Sequence, residues 1–310
     1  MTNLHLQPII RLAKLIRDRE VSPVEVLQAY LDRIEEINPK LNAIVTIAAD
    51  AMEKAREAEA VLMRGDAVGP LHGVPVTVKD TIETAGLRTT SGSVLRAEFI
   101  PKRDAPAVAR LKAAGGIILG KTNTAEMAMD YNADNPVFGR TNNPYDSSRT
   151  PGGSSGGEAA AIATCMSPGG IGSDLAGSIR IPSHFCGIAG LKPTVGRVPG
   201  AGQFPPSSGP YSLGSVIGPM ARNVGDLHLL FKVLAGMEPT AETATSLETR
   251  RKSLRGGRVA WYTDDGVSPV TRETSRAVET AATALADARL APEQTRPPGL
   301  ERGHDLWLKL

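Results

Sequence analysis

The chain has 310 residues, of which 41% are hydrophobic, 22% are charged and 32 are glycine. Such proportions belong to a globular protein and exclude a disordered, collagen-like or low-complexity chain, while the length suits two domains or one large α/β domain. With 35 Lys+Arg against 33 Asp+Glu the formal net charge is +2, and no block of five like charges occurs, so neither nucleic acid nor an anionic membrane is expected as a partner.

The opening MTNLHLQPIIRLAKLIRDRE interrupts its apolar residues with Arg11, Lys14 and Arg17, and no later run approaches the ~18 apolar residues of a membrane span. A soluble cytoplasmic protein is expected. Helical period dominates the first sixty residues. Ser22-Pro23-Val24-Glu25 reads as a capping box with Pro at the first helical position, and Leu27, Tyr30, Leu31, Ile34 and Ile37 then form one apolar stripe. A second helix is predicted from about Asp50 to Met63. At Gly73 the period changes to two, Val74, Val76 and Val78 alternating with Pro75, Thr77 and Lys79, which predicts a strand with two distinct faces and Lys79 at its end. Asp104 to Ala114 reads as a helix closed by Gly115-Gly116, and Ile117-Ile118-Leu119 as a short buried strand, so that a crossover unit is expected. Residues 131–157, rich in Asn, Pro, Ser and Gly, form a long loop of the kind that carries function. A buried helix EAAAIATCM and a strand GGIGSD follow it. Further on, RVAWYT reads as a strand and Thr271 to Arg289 as an Ala-rich helix, ahead of a Pro-rich stretch and DLWLKL. No internal repeat and no linker stands out. Cys165 and Cys186 lie in apolar surroundings and are expected to be reduced, buried thiols, with no disulfide framework or zinc site.

Three motifs compete for the chemistry. Gly115 to Thr122 matches the Walker A pattern letter for letter, but a helix precedes it and its inner residues are large and apolar, so a helix cap followed by a strand is the better reading. Gly152-Gly153-Ser154-Ser155-Gly156 matches G-x-S-x-G, yet the preceding TNNPYDSSRTP is polar and turn-forming, unlike the core strand that leads into a nucleophile elbow. Of the histidines, only His72 and His184 lie near these segments, and a lone histidine among apolar residues is usually structural; His184 remains a candidate pocket residue. What is left is a glycine-rich turn with two serines, a second glycine-flanked serine at Ser178, and Lys79. A lysine can act as a base only when neutral, which burial favours by lowering its affinity for a proton. Taken singly, GGSSGG would be a flexible linker and Lys79 a surface lysine.

Taken together, PGGSSGGEAAA from Pro151, GSDLAGSIRIP from Gly172 and FCGIAGLKP from Phe185 strongly resemble the amidase signature family. The similarity extends to GVPVTVKD at Gly73, GKTNTAEMA at Gly120, Asn143-Pro144, GPMARNVGDL at Gly218 and the N-terminal LDRIEEINPKLNAIV. The resemblance implies Ser178 as nucleophile, Ser154 as a bridging serine on a cis peptide, and Lys79 as the terminal base. It further implies an oxyanion hole from the backbone N–H groups of Leu175, Ala176, Gly177 and Ser178, and an acyl pocket that includes Met127, Met129, Asp130, Tyr131 and Ile181. Ala176 stands where the family usually has Gly, which would distort the hole if that position required a positive φ. No cofactor and no metal are implied.

The fold expected from the resemblance is α/β, a single amidase signature domain over 1–310 with a mixed twisted β-sheet covered by helices on both faces. Family members commonly continue further, so the C-terminal elements are expected to be missing, and sheet edges left open would favour self-association, a homodimer included. The expected activity is hydrolysis of a small-molecule carboxylic amide to acid plus ammonia or amine. Alternatives are a glutaminase subunit of the tRNA-dependent amidotransferase, a non-catalytic remnant, and, more distantly, a nucleotide-binding module.

Overall fold

In the computed structural model, which describes residues 3–236, 254–307 and 309, the chain divides into two compact units, Met1–Glu238 and Pro239–Leu310.

The first unit opens with helix α1 (Ile9–Arg17), which buries Ile9, Leu12 and Ile16 along one side. Helix α2 (Pro23–Leu41) starts as its sequence dictates: Glu25 N–H donates to Ser22 Oγ at 3.0 Å, and Ser22 N–H donates back to the Glu25 carboxylate at 2.8 Å. A cap of this kind stabilises a helix by about 1 kcal/mol. Its predicted stripe faces the core, with Leu27, Tyr30 and Ile34 buried and Leu31 and Ile37 packed against them. There follow β1 (Ile44–Ile47), α3 (Ala51–Arg64), β2 (Pro75–Lys79), α4 (Pro106–Ala113), β3 (Ile117–Thr122), α5 (Gly156–Ala163), β4 (Gly169–Asp174), α6 (Arg180–Cys186), β5 (Ala189–Gly190), β6 (Val216–Ala221) and α7 (Val224–Leu234). Asp226 of α7 reaches back to the start of the chain, accepting from Ile9 N–H at 2.9 Å and Ile10 N–H at 3.0 Å. It satisfies two donors that the first turn of a helix cannot satisfy itself.

The six strands form one mixed sheet in the order β1-β3-β2-β4-β6-β5. The three central strands β3, β2 and β4 run parallel, while β1, β6 and β5 join antiparallel. Helices cover both faces. Val76 and Val78 of β2 enter the large apolar cluster completed by α1, α2, α4 and α7. Thr77 hydrogen-bonds to Glu158 of α5 on the other side. The alternation read in β2 is therefore real, but its polar face meets α5, and all five residues are buried. Helix α5 has no solvent side over Gly156–Ile162, as its run of Ala and Gly requires.

The Walker-like string is a helix cap and a strand. Gly115 adopts φ +87° after α4, and the strand runs on to Thr122 with every residue buried. The second unit pairs β7 (Arg258–Trp261) in parallel with β8 (Ala291–Gln294), linked by helix α8 (Arg272–Asp287), which Thr271 caps by accepting from Thr274 N–H. Within the final DLWLKL, Leu308 and Leu310 lie outside the described residues, and a short helix α9 (Gly303–Trp307) precedes them. Among the described residues no helix is long and apolar enough to cross a membrane.

Candidate active site

The parallel strands β3, β2 and β4 end together in Thr122, Lys79 and Asp174. In sheets of this kind ligands bind beyond the carboxyl ends of the strands, and the candidate residues collect there. Lys79 is fully buried. Its Nζ lies 2.5 Å from Ser154 Oγ and 3.0 Å from Ser173 Oγ. Burial pushes the amine down to about 7, against the opposing pull of Asp174 and then Glu158. A buried lysine whose contacts are hydroxyls loses its hydration shell without gaining a full counter-charge.

Ser154 follows a cis peptide bond from Gly153. The neighbouring Ser155 is directed elsewhere: its Oγ accepts from Ser173 N–H at 3.4 Å, and its own N–H donates to Ser178 O at 3.1 Å. The serine pair is thus divided in role, one hydroxyl on the lysine and the other on strand β4. Ser178 is 8% exposed. The loop that carries it is bracketed by Asp174, whose carboxylate accepts from Gly177 N–H at 2.9 Å and Ile179 N–H at 3.0 Å. The same carboxylate takes Arg180 Nε at 3.0 Å and Nη2 at 2.9 Å. Burial pushes this carboxyl up, but the hydrogen bonds from Arg180, Ile179 and Gly177 outweigh it and hold it below the usual range.

This bracket changes the expected oxyanion hole. The Gly177 N–H is committed to Asp174, so it is not free to meet an oxyanion in this arrangement. Ala176 is not among the residues with positive φ, so the condition under which it would distort the hole is not met; Gly177 takes φ +127° instead. A side chain at Gly177 would also meet Ile181 Cδ1 at 2.6 Å.

The residues expected to line the acyl pocket gather around the same loop. A Cβ on Gly153 would lie 2.6–2.9 Å from the backbone of Asp130, Tyr131 and Asn132, so that this segment runs directly against the turn of Ser154. Tyr131 OH donates to Ala176 O at 3.2 Å, and Met129 is open to solvent. Met127 takes φ +53° with its N–H on Ser91 O at 2.8 Å, two residues beyond Ala125, whose N–H donates to Ser154 O at 3.3 Å. The His184 and Phe185 rings lie 5.9 Å apart, tilted by 55°, and His72 Nε2 lies 2.9 Å from Ala58 O; neither imidazole is hydrogen-bonded to the serines or to Lys79.

Two further buried groups stand beside the site. Glu158 of α5 has its carboxyl oxygens 2.5 Å from Thr77 Oγ1 and 2.7 Å from Thr122 Oγ1. Lys121, on the opposite face of β3, is bonded to Ile82 O, and to Thr84 Oγ1 and Thr89 Oγ1 at 3.1 and 3.2 Å. Burial lowers it to about 8, offset first by Asp80. The motifs do not single out Glu158, Asp174 and Lys121 as site residues. Each was visible inside a quoted motif, and a charged residue within an otherwise small or apolar run was the available signal. Among the described residues, no group of three or more His, Cys, Asp or Glu is placed to hold a metal ion.

The chain matches the Amidase family over residues 25–310. It belongs to the amidase signature family. A glutamyl-tRNA(Gln) amidotransferase subunit from Thermus thermophilus is 49% identical over 238 residues, which is 76% of this chain and 48% of that protein. Human fatty-acid amide hydrolase 2 is 44% identical over 73% of this chain and 44% of its own length. The chain spans about half the length of these relatives. Among solved structures, a fatty acid amide hydrolase superposes with a TM-score of 0.85 at 28% identity, covering 97% of this chain and 56% of that one. A bacterial aryl acylamidase gives 0.83 at 29%, covering 99% and 65%. These likenesses agree with the mixed sheet and its helical layers.

Proposed function

We propose that this chain carries the catalytic half of a serine amidohydrolase, cleaving a carboxylic amide to an acid plus ammonia or an amine, with Ser178 as nucleophile, Ser154 as relay and Lys79 as base. The observation that carries the reading is Lys79: fully buried, held near neutrality and 2.5 Å from Ser154 Oγ. A neutral lysine can take a proton that a charged one cannot. As Ser178 Oγ attacks the amide carbon, its proton passes to Ser154 Oγ while the Ser154 proton passes to Lys79 Nζ, because a hydroxyl donates and accepts at once. The N–H groups of Leu175, Ala176 and Ser178 stabilise the oxyanion, with Gly177 N–H fixing the loop through Asp174. Collapse of the tetrahedral intermediate expels the amine, protonated by the reverse relay, and water hydrolyses the remaining acyl ester. Met127, Met129, Asp130, Tyr131 and Ile181 line the acyl side. The family match runs from residue 25 to 310, which supports treating the chain as part of a single amidase signature domain.

The identity to the amidotransferase protein favours a second reading, a glutaminase that works with partner subunits. The two separate on substrate: release of ammonia or amine from simple amides by the chain alone supports the first, and glutamine turnover that needs an added partner supports the second. Labelling by a fluorophosphonate probe tests the shared chemistry. It is expected to vanish in Ser178→Ala and to persist in Ser155→Ala; undiminished labelling of Ser178→Ala removes Ser178 as nucleophile.

A further inference from the structure

Glu158 is buried on the face of the sheet that carries Lys79, and the mechanism above gives it no part. Four short contacts surround it: Glu158 Oε1 to Thr77 Oγ1 at 2.5 Å, Glu158 Oε2 to Thr122 Oγ1 at 2.7 Å, Thr77 Oγ1 to Ser167 Oγ at 2.9 Å, and Ser167 Oγ to Gly169 O at 2.9 Å. Three hydroxyls bring three protons to these four contacts. Gly169 O can only accept, so the Ser167 proton lies there. The Thr77 proton must then serve the Thr77–Ser167 contact, and that of Thr122 serves Oε2. The contact between Thr77 and Oε1 is left without a proton unless Glu158 supplies one. An ionised Glu158 would instead draw in the Thr77 proton, and the single Ser167 proton could then fill only one of that hydroxyl's two contacts, leaving a pair of oxygens 2.9 Å apart with nothing between them.

We propose that Glu158 keeps a proton at neutral pH, donating it to Thr77, and that by remaining uncharged it holds Lys79 in the neutral state its role as base requires. The proposal rests on the triad reading. Glu158 is a positioning residue that acts through Lys79. The charged groups that act on Glu158 are Lys121, through the sheet from the far face of β3, and Lys79 of β2; those that act on Lys79 are Asp174 of β4, already neutralised by Arg180, and Glu158 of α5. Burial pushes the Glu158 carboxyl up to about 7, against the hydrogen bonds of Thr77 and Thr122 and the two lysines. A single proton on these two groups has two places to lie. On Glu158 it leaves both groups neutral and the base ready; on Lys79 it creates an ion pair and no base. Gly170 makes room for this arrangement, since a Cβ there would collide with Glu158 Oε1 and Thr77 O.

The test exploits Ser167, which touches neither serine of the triad. In Ser167→Ala the Thr77 proton is released to point at Glu158, which then receives two hydrogen bonds and ionises more readily. Fluorophosphonate labelling of the full chain, measured as a rate against pH, is expected to show its acid limb raised by about one pH unit, a roughly tenfold loss of rate below the limb. Glu158→Gln keeps a neutral donor and acceptor, so it should leave the limb where it stands in the wild type. The double variant Ser167→Ala/Glu158→Gln should return the raised limb to that position. A limb that stays put in Ser167→Ala, or moves to lower pH in Glu158→Gln alone, overturns the proposal. The infrared difference spectrum of wild type minus Glu158→Gln at neutral pH reads the proton directly and independently of reactivity. A protonated-carboxyl band is expected, and an ionised-carboxylate band in its place would refute the proposal. A wild type that shows the protonated band but takes no label would defeat the triad reading and leave the proton assignment standing.

Discussion

Replacing Lys79 by Met should stabilise the fold while abolishing the reactivity of Ser178, and the pH dependence of that gain is the informative quantity. In the folded chain the amine is held near 7, and in the unfolded chain it returns to its ordinary 10.5. Below pH 7 it is protonated in both states, and the folded state bears the whole cost of burying a charge, about 5 kcal/mol at roughly 1.4 kcal/mol per pH unit. Between pH 7 and 10.5 the unfolded chain binds the extra proton, so wild-type stability rises with pH and the cost fades. Met has no proton to exchange. The stability difference between Lys79→Met and wild type is therefore expected to shrink by about 1.4 kcal/mol per pH unit from pH 7 to pH 10 and to be flat below 7. Leaving Ser154 and Ser173 without their lysine subtracts about 1–3 kcal/mol at every pH, which offsets the gain but not its slope. Urea melts of both proteins at pH 6, 8 and 9.5 measure it. A difference independent of pH would mean that the lysine is solvated or paired in the folded state, and the argument for a neutral base would fall with it.

Asp174→Asn should cost about 2 kcal/mol by weakening the bracket around Ser178. Since the wild-type carboxyl is held below its ordinary value, this stabilisation is complete above about pH 5 and fades as pH falls through the folded value, so the two proteins should converge in acid melts. Asp226→Ala leaves the Ile9 and Ile10 N–H groups unpaired and should destabilise the chain by about 1–3 kcal/mol, seen as a lower urea midpoint with no change in the labelling limb.

Much of this site was legible because its parts are local. The serines sit in glycine-rich strings, Lys79 ends a strand of alternating valines, and the Ser22 capping box is closed by residues three apart. What escaped was set by distance along the chain or by broken patterns. Asp226 caps a helix 217 residues away, and no local pattern announces such a contact. Strand β6 carries Gly218 and Pro219 in its middle, and α6 has Pro182 in its first turn, so neither shows a clean period. The resemblance implies the Gly177 N–H as an oxyanion donor; only the fold shows Asp174 reaching it first. The polar face of β2 reads as a solvent face until α5, thirty-odd residues beyond β3, is laid across it.

Burial alone does not explain the charge states at the end of this sheet, because Lys79, Lys121 and Glu158 are all fully buried and the Asp174 side chain is too. The partners decide. Asp174 receives N–H groups from Gly177, Ile179 and Arg180, including a guanidinium, and stays ionised. Lys121 has one carbonyl and two hydroxyls to donate to, with Asp80 as its leading electrostatic support, and falls to about 8. Lys79 has two hydroxyls and falls to about 7. Both hydrogen-bond partners of Lys79 are hydroxyls, and exchanging one of them for a carboxylate should raise the amine again. Ser173→Asp places an acceptor charge where Ser173 Oγ now lies 3.0 Å from Nζ, and an ion pair at that distance raises a lysine by at least one pH unit even against a carboxylate that burial disfavours. Labelling of Ser178 at pH 7.5 should fall at least about threefold, and about tenfold at pH 6, with the lost rate recovered at higher pH, whereas Ser173→Ala, which adds no charge, should move the acid limb to lower pH if at all. Full labelling of Ser173→Asp at neutral pH would show that the proton on Lys79 does not govern the nucleophile, and the relay through Ser154 would have to be abandoned.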